Sequence, residues 1–295
     1  MEKDEKMTRI KKILIKCFRG IQFILGGHSI WKFYPAKFLI RFVVRKLRLD
    51  YVFIDGHKLF LDANDSLRLS INGTYSEFET NFMKSMIKKE SVVLDLGANI
   101  GYYTLMFAKL VGKNGKVFAF EPDPTNFKLL KKNVKVNGYK NVVLVNKAIS
   151  NKNGKLKLFL GGTNFAGHRI YDSKDGRKFI EIHSVRLDDY FKNKCNKVDF
   201  IKMDIEGSEF LAVNGMHNLL NENQKIKIIS EFSPKGIVMS GFEPIDYLKS
   251  LINLGFKLSE VNETKAKIIP LNNPSKKFIQ QIEKHNYKTL LCEKE

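Results

Sequence analysis

The sequence predicts an α/β protein built on a doubly wound, mostly parallel sheet. Three observations carry that expectation. Short apolar runs alternate with amphipathic stretches between Ser91 and Leu254, the pattern of βαβ units whose sheet is covered on both faces. A glycine-rich turn, Leu94-Asp95-Leu96-Gly97-Ala98-Asn99-Ile100-Gly101, joins the first run to the first helix. The second run closes on Glu121-Pro122, which puts an acid at the strand end where open α/β sheets bind ligands.

Each element has its own justification. Ser91–Leu96, Val117–Glu121, Val142–Asn146, Val198–Asp204 and Lys225–Phe232 are apolar enough to be buried strands. Helices are expected over Tyr102–Val111, over Pro124–Val136 with Phe127, Leu130 and Val134 inward, and near Ser208–Leu220 and Pro244–Leu254. The tail holds three strand-like pieces, Phe256–Val261, Lys267–Leu271 and Tyr287–Cys292, separated by a short turn and one helix, so an antiparallel edge is expected. A β-rich insert spans 155–187, with turns at Asn153-Gly154 and Asp175-Gly176. Upstream, Tyr51–Ile54 and Lys58–Asp62 flank Asp55-Gly56-His57 as a hairpin, and Glu77–Lys88 is helical in character. The expected organisation is a basic helical extension over 1–50, a hairpin and lead-in helix over 51–90, and the main domain over 91–295.

Composition narrows the classes. With 43% hydrophobic and 28% charged residues in 295, the chain has a core and is not wholly disordered. Cys17, Cys195 and Cys292 form no CxxC and no even framework, which reads as reduced thiols in a cytosolic protein. No run reaches the roughly 18 apolar residues of a membrane span. Met1-Glu2-Lys3-Asp4-Glu5 is too acidic for a secretory leader. The net charge of +20 favours anionic partners, whether nucleic acid, acidic lipid or acidic glycan. Its distribution is uneven, because Lys6 to Leu49 holds twelve Lys/Arg and no Asp or Glu. There Ile10, Ile13, Leu14, Cys17, Phe18, Ile21, Ile24 and Leu25 follow helical spacing, with Arg9, Lys12, Lys16 and Arg19 opposite. After Gly26-Gly27 and Pro35, a second basic helix is expected over Lys37–Leu49. Two readings stand open: residues 6–49 lie on an anionic membrane, or their apolar face packs on the main domain.

The chemistry begins at the glycine turn. Such a turn admits a ligand close to the backbone and points helix N–H groups at it. Glu121, 24 residues after Gly97, can accept a ribose's hydroxyls. Turn, helix, second strand and terminal acid together indicate an adenosine-containing ligand. The glycines run G-x-x-x-G rather than G-x-G-x-x-G, so a dinucleotide is not the expected one. The Asp-x-Gly-x-x-x-Gly form resembles the first motif of class I S-adenosylmethionine (SAM)-dependent methyltransferases.

The resemblance narrows further. VVLDLGANIGYYTLMFAKLVG, VFAFEPDP and VDFIKMDIEGSEF are similar to the successive motifs of the FkbM family of methyltransferases, over roughly Thr74 to Phe232. Membership implies a Rossmann-like class I fold with a seven-stranded sheet, SAM as donor, and O-methylation of a sugar, glycan, glycolipid or related metabolite. It implies that Gly97, Ala98, Asn99 and Gly101 line the donor, that Glu121 holds its ribose, and that Asp95 shapes the loop or approaches the methionine amino group. Asn146 and Ala148 fall where the adenine edge is expected.

Catalytic candidates follow from the fourth strand. A sugar hydroxyl is a poor nucleophile and benefits from a base. Asp204 is the first candidate; Glu206, Glu209 and Glu231 are next. A divalent cation held by these acids is an alternative that the reading does not favour. Otherwise Asp204 binds only SAM and Glu206 or Glu209 caps the next helix. His168, in a Gly/Asn-rich loop, is a further candidate base, with Arg169 beside it to hold an anionic acceptor, although a solvated loop accounts for both. Tyr75 and Glu77 match a family segment that closes over the donor. Two rivals are weighed against O-methylation. A nucleic-acid methyltransferase fits the charge, but Asp204-Ile205-Glu206-Gly207 replaces the Asn/Asp-Pro-Pro-aromatic motif of amino-methylating enzymes. A non-catalytic SAM-binding scaffold fits the fold alone.

Overall fold

Local turn chemistry shapes the smaller of two units, Met1–Tyr75 and Ser76–Glu295. The computed structural model describes residues 10–11, 13–15, 17, 46–162, 165–194, 197–271, 278–279, 282 and 287–294. In the smaller unit β1 (Tyr51–Ile54) and β2 (His57–Phe60) pair across Asp55-Gly56. Both turn residues have positive φ, 52° and 86°, as a two-residue hairpin requires. His57 is therefore a strand residue rather than part of the turn. Val52 and Leu59 form the buried pair, and Tyr51, Phe53, Lys58 and Phe60 share the other face. Further on, the Asp65 carboxylate accepts from the N–H groups of Leu69 and Ser70 (2.8 and 2.9 Å) and so starts α1 (Leu69–Asn72). Residues 10–17, where described, are helical. Ile15 is buried there, while the sequence's apolar stripe, Ile10, Ile13, Leu14 and Cys17, is exposed. Phe18, Ile21, Ile24, Leu25, Gly26-Gly27, Pro35 and most of the second basic helix lie outside the described residues.

The larger unit opens with α2 (Glu77–Met86), β3 (Val92–Leu96), α3 (Tyr102–Val111), β4 (Lys116–Phe120), α4 (Pro124–Val136) and β5 (Val142–Val145). Next come β6 (Ala148–Ile149), β7 (Gly154–Phe159), β8 (Phe179–Val185), α5 (Leu187–Phe191), β9 (Phe200–Met203), α6 (Glu209–Gly215) and α7 (His217–Glu222). It closes with β10 (Lys227–Phe232), α8 (Pro234–Met239), α9 (Pro244–Asn253), β11 (Lys257–Asn262), β12 (Lys267–Pro270) and β13 (Lys288–Glu293).

Among the described residues the main sheet has eight strands, in the order β12-β11-β13-β10-β9-β3-β4-β5. The five from β10 to β5 are parallel, and β13, β11 and β12 join antiparallel. This is the α/β class I arrangement with an antiparallel edge, and β12 adds an eighth strand to the seven expected. Order reverses between β3 and β9, which brings the carboxyl ends of β3, β4, β9 and β10 to one rim. A second sheet, β6-β8-β7, encloses Ala148, Leu158 and Ile182.

The helix expected near Ser208–Leu220 is two helices, α6 and α7, broken at Met216 with φ −132°. The cause is a close approach. A Cβ on Gly215 would stand 2.2 Å from the Ser150 carbonyl oxygen, so the end of α6 rests directly on the strand segment containing β6. Gly215→Ala is expected to destabilise the protein by about 1–3 kcal/mol through overpacking, read as a lower urea midpoint at unchanged slope.

Candidate active site

The rim is held in shape by backbone donors. Gly97 and Ala98 N–H both donate to the Phe120 carbonyl, at 3.0 and 2.9 Å, which stitches the β3–α3 turn to the end of β4. Gly97 has φ +81°, and a Cβ there would stand 2.0 Å from the Asp204 carbonyl oxygen. Only glycine lets the turn lie against the end of β9. Asn99 N–H donates to Glu121 Oε2 (2.8 Å) and Asp123 N–H to Oε1 (2.9 Å), so the carboxylate is fixed beside the turn. Burial first, then the charge of Asp123, outweighs those donors and lifts Glu121 to about 7. Gly101 caps the start of α3 against Leu130. Asp95 is fully buried, with Oδ2 accepting from Thr104 Oγ1 at 2.5 Å and Oδ1 without a hydrogen-bond partner.

The two adenine-edge candidates are placed differently. Asn146 is exposed, and its side-chain amide donates to the carbonyls of Glu121 and Pro122 (2.8 and 3.1 Å). It braces the backbone at the end of β4. Ala148 is buried in β6 with Leu158 and Ile182.

At the end of β9, Asp204 N–H donates to the Leu96 carbonyl (3.1 Å), and its Oδ2 lies 3.3 Å from Lys202 Nζ. Lys202 is buried. Burial opposes its ammonium, but Asp204, Asp95 and Glu79 outweigh that and hold its pKa above the ordinary lysine value. Its Nζ also sits 5.2 Å from the Tyr103 ring centroid. Burial, then the charges of Asp204 and Glu209, raises Glu206 to about 8. Burial together with Asp204, Glu206 and Glu209 raises Glu231, on β10, well above the usual range. Glu209 Oε1 accepts from the N–H groups of Ile205 and Gly207 (3.0 and 3.3 Å) and braces the turn after β9. Its buried Oε2 has no partner, and burial first of all lifts it to about 7. Among the described residues, no group of three or more His, Cys, Asp or Glu side chains is arranged to hold a metal ion.

His168 and the segment ahead of β3 require corrections. The His168 side chain is buried, not solvated. Its Nδ1 accepts from Gly161 N–H at 2.9 Å, and Nε2 lies 3.8 Å from Asp123 Oδ2. Burial lowers its pKa despite Asp123, and the Nδ1 lone pair is engaged by the Gly161 N–H. That arrangement does not serve a general base. Instead His168 ties the β7–β8 loop to the start of α4, where Asn126 Nδ2 also donates to the Phe165 carbonyl (2.8 Å). Thr163 and Asn164 of that loop lie outside the described residues. The Arg169 guanidinium stacks 5.6 Å from the Tyr171 ring centroid. Glu77 is exposed, and Glu79, two residues on, turns into the site. Glu79 Oε2 accepts from Thr289 Oγ1 at 2.9 Å, and burial first of all lifts the group to about 7. The residues missed by the sequence reading are therefore Lys202, Glu79 and Thr289. Lys202 alone left a signal, as a lone base in an otherwise apolar buried strand that had to find carboxylates.

The pattern of the Methyltransferase FkbM domain matches residues 95–258. The chain belongs to the FkbM methyltransferase family. It is 35% identical over 77 residues to an uncharacterized protein of Methanocaldococcus jannaschii, covering 26% of this chain and 29% of that one. It is 26% identical over 141 residues to protein-L-isoaspartate O-methyltransferase of Methanococcus aeolicus, covering 45% and 65%. The matches thus span less than two thirds of either relative. Among solved structures, methyltransferase FkbM from Methylobacillus flagellatus superposes with a TM-score of 0.44 at 17% identity, covering 80% of this chain and 56% of that one. SAM suits the residues of this FkbM domain. The glycine turn is held close to the end of β9, the Glu121 carboxylate beside it is preset by two backbone N–H groups, and Asp95 keeps a buried oxygen unpartnered.

Glu121→Gln is expected to weaken S-adenosylhomocysteine binding about tenfold or more by calorimetry, and Gly97→Ala to weaken it further through clash and positive φ. A pH effect follows as well. Glu79, Glu121 and Glu209 at about 7, and Glu206 at about 8, stand above the 4.5 of a free glutamate. The folded protein therefore binds more protons than the unfolded one across that window. The stability this contributes is fully present below the unfolded value and is lost as pH rises through 7 to 8. The melting temperature of ligand-free protein should fall from about pH 5 to about pH 8, less steeply in Glu206→Gln.

Proposed function

We propose that this FkbM-family protein transfers a methyl group from SAM to a hydroxyl of a sugar, glycan or glycolipid. The observation that carries the reading is the contact of donor turn and acid rim. Gly97 lies against the Asp204 carbonyl, which sets the candidate base beside the donor site. Bound SAM supplies an electrophilic methyl on a sulfonium. The chain supplies position and proton handling. The Gly97–Gly101 turn and Glu121 orient the donor, and Lys202 fixes Asp204, whose carboxylate takes the hydroxyl proton as the oxygen attacks. Glu206, raised to about 8, holds a proton near neutral pH and can donate a hydrogen bond to another oxygen of a polyhydroxyl acceptor, and burial and the same acids also raise Glu231.

One acid of the rim weighs against nucleic acid as the acceptor. Despite a chain charge of +20, the rim beside the donor turn carries the Asp204 carboxylate, which disfavours a phosphate backbone, whereas Glu206, protonated near neutral pH, adds no repulsion. The test uses purified protein, labelled SAM and cell extract. Label is expected in glycan or glycolipid, and label confined to nucleic acid would refute the reading. With that acceptor, Asp204→Asn should lower kcat by about 10²–10⁴ with little change in S-adenosylhomocysteine affinity. Equal affinity with no transfer by the wild type to any fraction would instead favour a non-catalytic SAM-binding scaffold.

A further inference from the structure

The smaller unit shows two apolar surfaces to solvent, the first in a segment rich in Lys and Arg and the second carrying Lys58 beside its rings. The first is the helical face of Ile10, Ile13 and Leu14, exposed by 45%, 61% and 48%, while Ile15 on the opposite side is 4% exposed. A helix that served only as packing would turn its apolar stripe inward. The second is the outer face of the β1–β2 hairpin. Phe53 is 66% exposed and meets Tyr51 edge-on at 5.8 Å, Tyr51 lies 5.8 Å from Phe60, and Lys58 Nζ sits 4.2 and 5.1 Å from the Tyr51 and Phe60 rings. Lys11 Nζ donates to the Arg48 carbonyl (3.0 Å), two residues before the hairpin's lead-in Asp50, so helix and hairpin base are joined within the unit.

We infer that these two faces form one docking surface for an anionic lipid bilayer. Charge complementarity selects the partner. The segment from Lys6 to Leu49 carries twelve basic residues and no acid, and each Lys or Arg near an anionic leaflet adds attraction that falls off within a Debye length. Ile, Leu and Phe enter the acyl boundary while lysine stems reach back to the headgroups. An aromatic ring next to a lysine suits that interface. No helix of the described residues is long and apolar enough to cross a membrane, and the inferred attachment is peripheral. The surface shares no residue with the donor site, and its failure and that of the methyltransferase reading can be told apart.

The test is co-sedimentation of the full chain with phosphatidylcholine vesicles, with and without phosphatidylglycerol, alongside S-adenosylhomocysteine titration. Binding is expected only with phosphatidylglycerol, and it should weaken in about 1 M salt, where the Debye length is about 3 Å. The double variant Ile13→Glu/Leu14→Glu, and separately Phe53→Glu, should each reduce binding about tenfold or more while the titration stays unchanged. Three results would overturn the inference. They are no preference for phosphatidylglycerol in the wild type, undiminished binding by both variants, and a wild-type dimer that the double variant dissociates, which would make the face a contact between copies.

Discussion

The Lys202 ammonium, buried in the sheet and 3.3 Å from Asp204, is the interaction on which the arrangement of the site depends. It stands among carboxylates from three places in the chain: Asp95 on β3, Asp204 after β9 and Glu79 on α2. Without it, three acids would share one apolar space with no compensating charge, and leaving a buried partner uncompensated costs about 3–5 kcal/mol. The pair is therefore best read as a device of position. It ties β3, the end of β9 and α2 together and holds Asp204 at the rim.

The acids around this ammonium also explain a contrast in the charge of the chain. Basic residues dominate the sequence and are dense before Leu49, yet the rim carries carboxyl groups whose pKa values burial and neighbouring acids raise, that of Glu206 to about 8. A group poised there passes a proton in either direction at little cost. On the proposed reading, such a rim suits an acceptor with many hydroxyls, some to be held and one to be deprotonated, and the basic surplus serves the proposed lipid contact.

The fold was legible where periodicity and turn chemistry acted locally. The parallel core, the Asp55-Gly56 hairpin and the helix beginning at Pro124 each follow from a few neighbouring residues, and so does the approach of the glycine turn to Glu121. Long-range encounters were not legible. The break at Met216 depends on Ser150 pressing against Gly215, and the role of Glu79 depends on Thr289, far along the chain. His168 looked like a loop base because its sequence neighbours are small and polar. Its lone pair is taken by Gly161 N–H, a hydrogen bond that composition cannot announce. Helix phase misled once more near Glu77, since two residues further round the helix decide which acid turns inward.

The position of β13 has a consequence for how the protein is made. It lies between β10 and β11, although it follows both in the chain. A polypeptide emerging from the ribosome presents β11 and β12 before the strand that must separate them from β10. The nascent chain must therefore keep a slot open beside β10, or later prise apart a premature β10–β11 pairing. Thr289 arrives with that same strand and brings the partner of Glu79. Assembly of the site is thus tied to a late, non-local threading event, of the kind that slows folding and exposes strand edges to chaperones meanwhile.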